Sequence, residues 1–222
     1  MSLEISPDLK SRFPGLIVLT ARVKGVKIQR KNNELERFKE QLMREIRGKY
    51  DAESLKDLSI FRAYRDFFWS INIDPTKIRP ASEALIRRIL RGRSIPRINS
   101  LVDAYNLASI KTGIALAAFD EDRLRGKLIM RRAKKGERFQ GIGMSEAMEL
   151  KGGEVVISDE ERLVAIYPYR DAEHSKVTEK TRNVLLLICG VPGISEATLT
   201  DAGRVAIDLI TRFCGGRGFL EK

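Results

Sequence analysis

Arg97–Glu137, RINSLVDAYNLASIKTGIALAAFDEDRLRGKLIMRRAKKGE, is the stretch whose reading decides the fold. Ser100 is placed as an N-cap, with Asp103 three positions on in a variant of the capping box. Leu101, Val102, Tyr105, Ala108 and Ser109 recur at helical spacing, and Gly113 stands where a left-handed residue ends a helix. A short apolar run, Ile114 to Phe119, leads into the acidic turn Asp120-Glu121-Asp122. From Arg123 to Lys135 there are seven Lys or Arg and no Asp or Glu. Within that basic run Leu128, Ile129 and Met130 suggest a strand, and Lys135-Gly136-Glu137 a turn.

Toward the N-terminus, Leu16 to Val23 is rich in aliphatic residues after Pro14-Gly15 and is expected as a first buried strand. Asn33 precedes Glu36 at capping-box spacing, Leu35, Phe38, Leu42 and Ile46 share one face, and Gly48 marks the expected helix end. A second helix is expected from near Leu55 to Ile71, bearing Leu58, Phe61, Tyr64 and Phe68, with Phe67 and Trp69 beside that face. Aromatic side chains so spaced build a core or stack nucleic-acid bases. After the turn signals at Asp74-Pro75 and Arg79-Pro80, a third helix is expected over Ala81 to Leu90, ending at Gly92.

Toward the C-terminus, Glu154 to Ser158 and Arg162 to Tyr167 form an expected strand pair around the acidic turn Asp159 to Glu161. Val184 to Ile188 is a buried strand, and Ser195 opens a last helix closed by Gly215-Gly216. Helices and strands do not alternate regularly, which argues against a doubly wound sheet. The expected class is α+β, a mixed α/β domain with a central mixed sheet and flanking helices. The expected organisation is one domain over 1–222, with a core at 80–191 and an N-terminal strand and helices, 1–79, packed on it.

The 43% apolar content suffices for a real core. The net charge of +11 favours a polyanionic partner, nucleic acid before a membrane surface. Arg87, Arg88, Arg91, Arg93 and Arg97 cluster near the end of the third helix. Cations suit a helix C-terminus, yet five guanidinium groups exceed what capping needs, and arginine grips phosphate bidentately. With Arg131, Arg132, Lys134 and Lys135 they form the candidate RNA surface, against the alternative of a solvated charged face.

Two cysteines make neither a disulfide framework nor a metal-ligand spacing, so a reducing cytoplasm is expected. His174 is the only histidine, so a histidine-based metal site would rest on it alone; neither metal nor cofactor is expected. No run approaches the ~18 apolar residues of a membrane span, and the N-terminus lacks the apolar core of a signal peptide. Charged residues at 32% with three Gln match a thermophile's composition.

The ordered pattern of Asn99, Val102, Asp103, Asn106, Gly113, Ala118-Phe119-Asp120, Asp122, Leu124, Gly126, Arg131 or Arg132, Ala133, Gly136 and Glu137 resembles the tRNA-editing module of the bacterial phenylalanyl-tRNA synthetase beta subunit. Ser82, Leu85 and Arg88 upstream, and Val155 to Glu160 with Val177-Thr178 downstream, extend the likeness over roughly Pro80 to Val191. A synthetase beta subunit is far longer than 222 residues, so a freestanding relative is implied. The resemblance implies binding of tRNA or another structured RNA, and hydrolysis of a wrongly attached amino acid as a translation-fidelity step. The alternative is a binding module that has lost the chemistry.

The departures from the family pattern bear on that choice. Ala117 stands where the module has His, and Leu187 aligns with its Glu. Its Thr-Asn pair becomes Tyr105-Asn106, and its paired glycines fall near Asp171 and Ala172. Tyrosine-specific editing by the family's own groups is therefore not expected. Replacement candidates are Asn106, Asp171 and His174 for catalysis, with Asn99, Tyr105, Lys111 and Arg170 for substrate binding. A carboxylate can order water, and a histidine near neutrality can accept its proton. Asn99 and Asn106 can equally cap turns, and His174 can be a loop residue. Which amino acid, which tRNA and what oligomeric state stay open.

Overall fold

The computed structural model describes residues 3–221. In chain order these form β1 (Leu3–Ile5), α1 (Pro7–Arg12), β2 (Leu19–Lys24), α2 (Asn33–Lys49), α3 (Ser59–Ser70), α4 (Ala81–Leu90) and α5 (Ser100–Thr112). There follow β3 (Ala115–Asp120), β4 (Leu128–Arg132), β5 (Arg138–Phe139), β6 (Met148–Glu149), β7 (Val155–Ser158), β8 (Leu163–Ile166) and β9 (Arg170–Asp171). The last elements are β10 (Asn183–Cys189), α6 (Glu196–Cys214) and β11 (Arg217–Leu220). The architecture is the expected mixture of helices and sheet, with the strands divided between a mixed and an antiparallel sheet. One runs β1-β4-β7-β8-β9, with β1 parallel to β4; the other runs β11-β2-β10-β3, all antiparallel; β5 and β6 form a hairpin.

The centre of the antiparallel sheet is β10. Its apolar run Val184 to Cys189 is buried throughout, as a strand covered on both faces requires. On one face lies α6, where a Cβ at Gly203 would approach Ile188 to 3.4 Å. At its end, the Tyr64 hydroxyl donates to the Cys189 carbonyl at 2.5 Å, and the Tyr167 hydroxyl donates to the Gly190 carbonyl. The Tyr167–Pro168 peptide between β8 and β9 is cis. Both phenols are pushed well above their ordinary range by burial, so they remain donors. One apolar cluster runs from Leu9 to Cys214, joining residues of 1–79 to those of 80–191. Phe61, Tyr64, Phe67 and Phe68 lie in it, which gives the aromatic series of α3 to the core; Trp69 alone of that run is largely exposed.

Several boundaries differ from the expectation, each for a local reason. The N-cap of α5 is Asn99, not Ser100: its side chain accepts from the Leu101 and Val102 amides at 3.1 and 2.9 Å. Ser100 instead accepts from the Gln29 amide with its hydroxyl. Asp103 accepts from the Ile98 amide at 3.0 Å and from Lys39 Nζ at 2.8 Å, tying α5 to α2. Asn32, not Asn33, caps α2, and Gly48 lies inside that helix rather than at its end. The expected helix from Leu55 to Ile71 is a 3-10 turn, Ser54–Asp57, and a separate α3, because Leu58 adopts an extended backbone. The first long strand begins at Leu19 rather than Leu16. Gly113 does end α5, at φ 76°, where a side chain would also crowd Ile60 at 3.2 Å.

Candidate functional site

The middle of α5, the end of β10 and the short strand β9 approach one another around Tyr105, Cys189 and Asp171. Successive β9 side chains point to opposite sides. Arg170 is exposed and lies across Gly141, where an added Cβ would come within 2.3 Å of its Cδ. Asp171 turns inward, and burial pushes its carboxyl up to about 7. Its side chain makes no hydrogen bond or ion pair among the described residues. The Tyr105 phenol is raised by burial first and then by the charge of Asp171, which places the two groups within electrostatic reach. Cys189, at the end of β10, is raised by burial and by the same carboxylate.

Ala117 and Leu187 are direct partners in the β3–β10 register. They are 7% and 1% exposed, so the two positions where the family pattern has His and Glu are filled by apolar side chains packed on one face. Strand alternation puts Leu187 on the same face as Cys189, the residue that senses Asp171, and on the opposite face from Ile188, which meets α6.

The other expected site residues are placed as follows. Asn106 follows Tyr105 on α5, half-buried, and its amide makes no hydrogen bond among the described residues. Asn99 is buried and holds the helix start. Lys111 is exposed near the end of α5. His174 lies in a 3-10 turn with Nε2 at 2.9 Å from the Leu163 carbonyl, so Nε2–H donates and Nδ1 is left as the acceptor. That Nδ1 is buried and receives no hydrogen bond among the described residues. The ring thus ties the turn to β8, an arrangement that does not offer a base to solvent. The structure brings Asp171 to Tyr105, the neighbour of Asn106, and gives His174 a structural contact instead.

The cations separate into two groups. Beyond α4 there is a hollow of about 370 Å³ walled by Lys77, Arg79, Arg88, Arg91 and Arg93. Arg87 reaches it too, but its Nε binds Glu83 at 2.7 Å and its Nη1 the Ala52 carbonyl at 2.7 Å. Glu83 is fully buried and also held by Arg65, so Arg87 belongs to a structural ion cluster. Arg88 donates to the Ser94 carbonyl. Arg97 pairs with Glu36 at 3.1 Å. Arg91 and Arg93 are exposed and make no ion pair among the described residues.

On β4, Arg131 is clamped by Glu137 through two contacts of 2.7 and 2.9 Å, and Arg131 holds the Glu137 carboxyl below its ordinary range. Arg132 faces a different cavity, and Lys134 and Lys135 are exposed in the turn after it. Lys77 and Arg79 join the hollow although neither is among the cations expected at an RNA surface, Arg79 being expected only in the turn signal Arg79-Pro80. Their position between the two turn signals, just before α4, was the available signal. No helix is long and apolar enough to cross a membrane, and no cluster of His, Cys, Asp and Glu could hold a metal, among the described residues.

A family model described as B3/4 domain matches residues 63–215. The phenylalanine–tRNA ligase beta subunit of Photorhabdus laumondii is 37% identical over 109 residues, which is 49% of this chain and 14% of that protein. That of Symbiobacterium thermophilum is 37% identical over 111 residues, 50% of this chain and 12% of that protein. That of Bartonella quintana is 29% identical over 148 residues, 56% and 18%. The matched stretch therefore spans less than a fifth of each of these curated relatives. Among solved structures, an N-terminal fragment of the phenylalanyl-tRNA synthetase beta subunit from Pyrococcus horikoshii aligns with a TM-score of 0.55 at 14% identity, covering 98% of this chain and 50% of that chain. At that identity it attests the fold alone.

Proposed function

The chain belongs to the B3/4 domain family, and on that premise we propose that it binds structured RNA, with tRNA the foremost candidate, through the cationic hollow beyond α4. The hollow carries this reading. Arg91 and Arg93 face solvent with no acidic partner among the described residues, in a chain of net charge +11, as backbone-phosphate binding requires. The apolar pair Ala117–Leu187 supports binding rather than family-type editing, because the face carries no ionisable side chain at either position. Anisotropy titration of labelled tRNA against salt tests it. Affinity should fall linearly on log axes, and Arg88→Ala, Arg91→Ala and Arg93→Ala together should lower the slope by about two to three. An unchanged slope would remove this surface.

A second, hydrolytic reading is favoured by Asp171. An unpaired carboxyl near 7 beside Tyr105 is poised to take a proton from water at neutral pH. That water would attack the aminoacyl ester carbonyl, its proton passing to Asp171. The ester C–O bond would then break as Asp171 returns that proton to the departing oxygen, releasing the amino acid and the 3′-terminal hydroxyl of the RNA, with a neighbouring ribose hydroxyl helping to place the water. Hydrolysis of a misacylated tRNA should then rise as pH passes about 7 and be lost in Asp171→Asn. Failure to cleave any misacylated tRNA that binds would reject this reading and leave the first intact.

A further inference from the structure

A second cavity, of about 550 Å³, lies between α1, the α3–α4 connection and the Gly152-Gly153 loop that leads into β7. That volume lies in the range of small-molecule sites, ~300–1,000 Å³. Its walls divide by chemistry. Phe13 and Tyr167 back it from the core, and the half-buried Ile73 and Tyr169 supply its apolar surface. Arg12, Lys77, Arg132 and Lys151 supply four cations against the carboxylates of Asp74 and Glu154. Lys77 lies 4.0 Å from Asp74, and Arg12 stands over the Phe13 ring, whereas Arg132 and Lys151 form no ion pair among the described residues.

One feature of the wall is otherwise unexplained. Glu154 accepts from the Lys151 amide with Oε1, but its Oε2 is buried and has no hydrogen-bond partner among the described residues. An unmatched buried carboxylate oxygen is costly and asks for a donor. Asn72, at φ 61°, is the left-handed residue that closes α3, with the Ile73 amide donating back to the Phe68 carbonyl at 2.8 Å, and Gly152 and Gly153, at φ 91° and 92°, turn the opposite loop. At Gly153 a Cβ would stand 3.0 Å from Arg132 Nη2, so the guanidinium lies directly against this loop.

We propose that this cavity binds a phosphorylated nucleoside. The phosphate meets Arg132 and Lys151, the base lies against the half-buried Tyr169, and ribose hydroxyls or a base amino group donate to Glu154. Lys77 lines both this cavity and the cationic hollow, so the two adjoin. The nucleotide is therefore either free in solution or an unpaired residue of a bound RNA; the latter source rests on the RNA-binding reading.

Calorimetric titration of the full chain with the four ribonucleoside monophosphates, with a CCA trinucleotide, and with nucleosides and inorganic phosphate as controls tests the assignment. At least one monophosphate or the trinucleotide should bind once per chain, more tightly than its separate parts. Arg132→Ala and Glu154→Gln should each weaken it by roughly tenfold or more. Tight monophosphate binding assigns a free nucleotide, whereas binding of the trinucleotide alone assigns an RNA end. No binding by any of these, or binding indifferent to both variants in protein that keeps its wild-type circular dichroism, overturns the proposal. Arg91→Ala with Arg93→Ala separates the two readings. It should weaken tRNA binding and spare monophosphate binding, so either surface can fail without the other.

Discussion

Ala117 and Leu187 face each other directly across β3 and β10, each nearly devoid of solvent contact. A polar substitution at one is therefore a test of whether this face is core or site. Leu187→Glu would bury a carboxylate between its cross-strand partners Ala117 and Thr20, with no cation at either, at a cost of about 2–5 kcal/mol. The melting temperature should fall more at about pH 8 than at about pH 5, because protonation relieves the buried charge. Equal melting of variant and wild type at both values would show an open face.

Asp171 gives a second pH signature. Its carboxyl is raised from 3.8 to about 7, so between those values the folded protein holds a proton that the unfolded chain has released. Stability therefore falls as pH rises through that window, by at most about 4 kcal/mol at ~1.4 kcal/mol per pH unit. Asp171→Asn should remove that fall, leaving the variant more stable than wild type near pH 8 and similar near pH 4. Thermal melts across the window decide it; parallel curves would mean the carboxyl is solvated.

Lys39 and Asp103 form an ion pair with side chains only 5% and 2% exposed. Lys39→Met should cost about 3–5 kcal/mol, since it strands a buried carboxylate. Adding Asp103→Leu should recover only part, because the Ile98 amide then loses its acceptor. Chemical denaturation of the single and double variants measures both, and full recovery would show that the amide bond contributes nothing.

The arginines that follow one another around α4 should separate in their effects. Arg87→Ala should lower stability, by removing a partner of the buried Glu83, and change tRNA affinity little. Arg91→Ala and Arg93→Ala should weaken tRNA binding and leave the melting temperature unchanged. Melting curves and anisotropy on the same four proteins check this; a similar profile for Arg87 and Arg91 would contradict the division.

Much of the fold was legible because period and punctuation are local. The boundaries of α4 at Ala81 and Leu90, the left-handed Gly113, the β7–β8 pair and the buried run of β10 all follow from residues within a few positions of one another. The cap shift from Ser100 to Asn99 escaped because both residue types cap well, and the choice was made by the distant Gln29 amide, which takes the Ser100 hydroxyl. The three residues of β1 and the four of β11 carry too little pattern to be seen without the strands they join.

The candidate site shows the same limit. A list of arginines does not distinguish Arg87, held by a carboxylate one helical turn away, from Arg91, which meets solvent. Nor does it reveal that Ala117 and Leu187, seventy residues apart in sequence, are neighbours, or that Glu154 Oε2 lacks a donor among the described residues. By itself the sequence determined the family, the mixture of helices and strands, and the cationic excess, since these depend on residue order and composition. Only the tertiary structure decided which charges are paired and where hollows lie, because ion pairing and burial depend on residues brought together from distant parts of the chain.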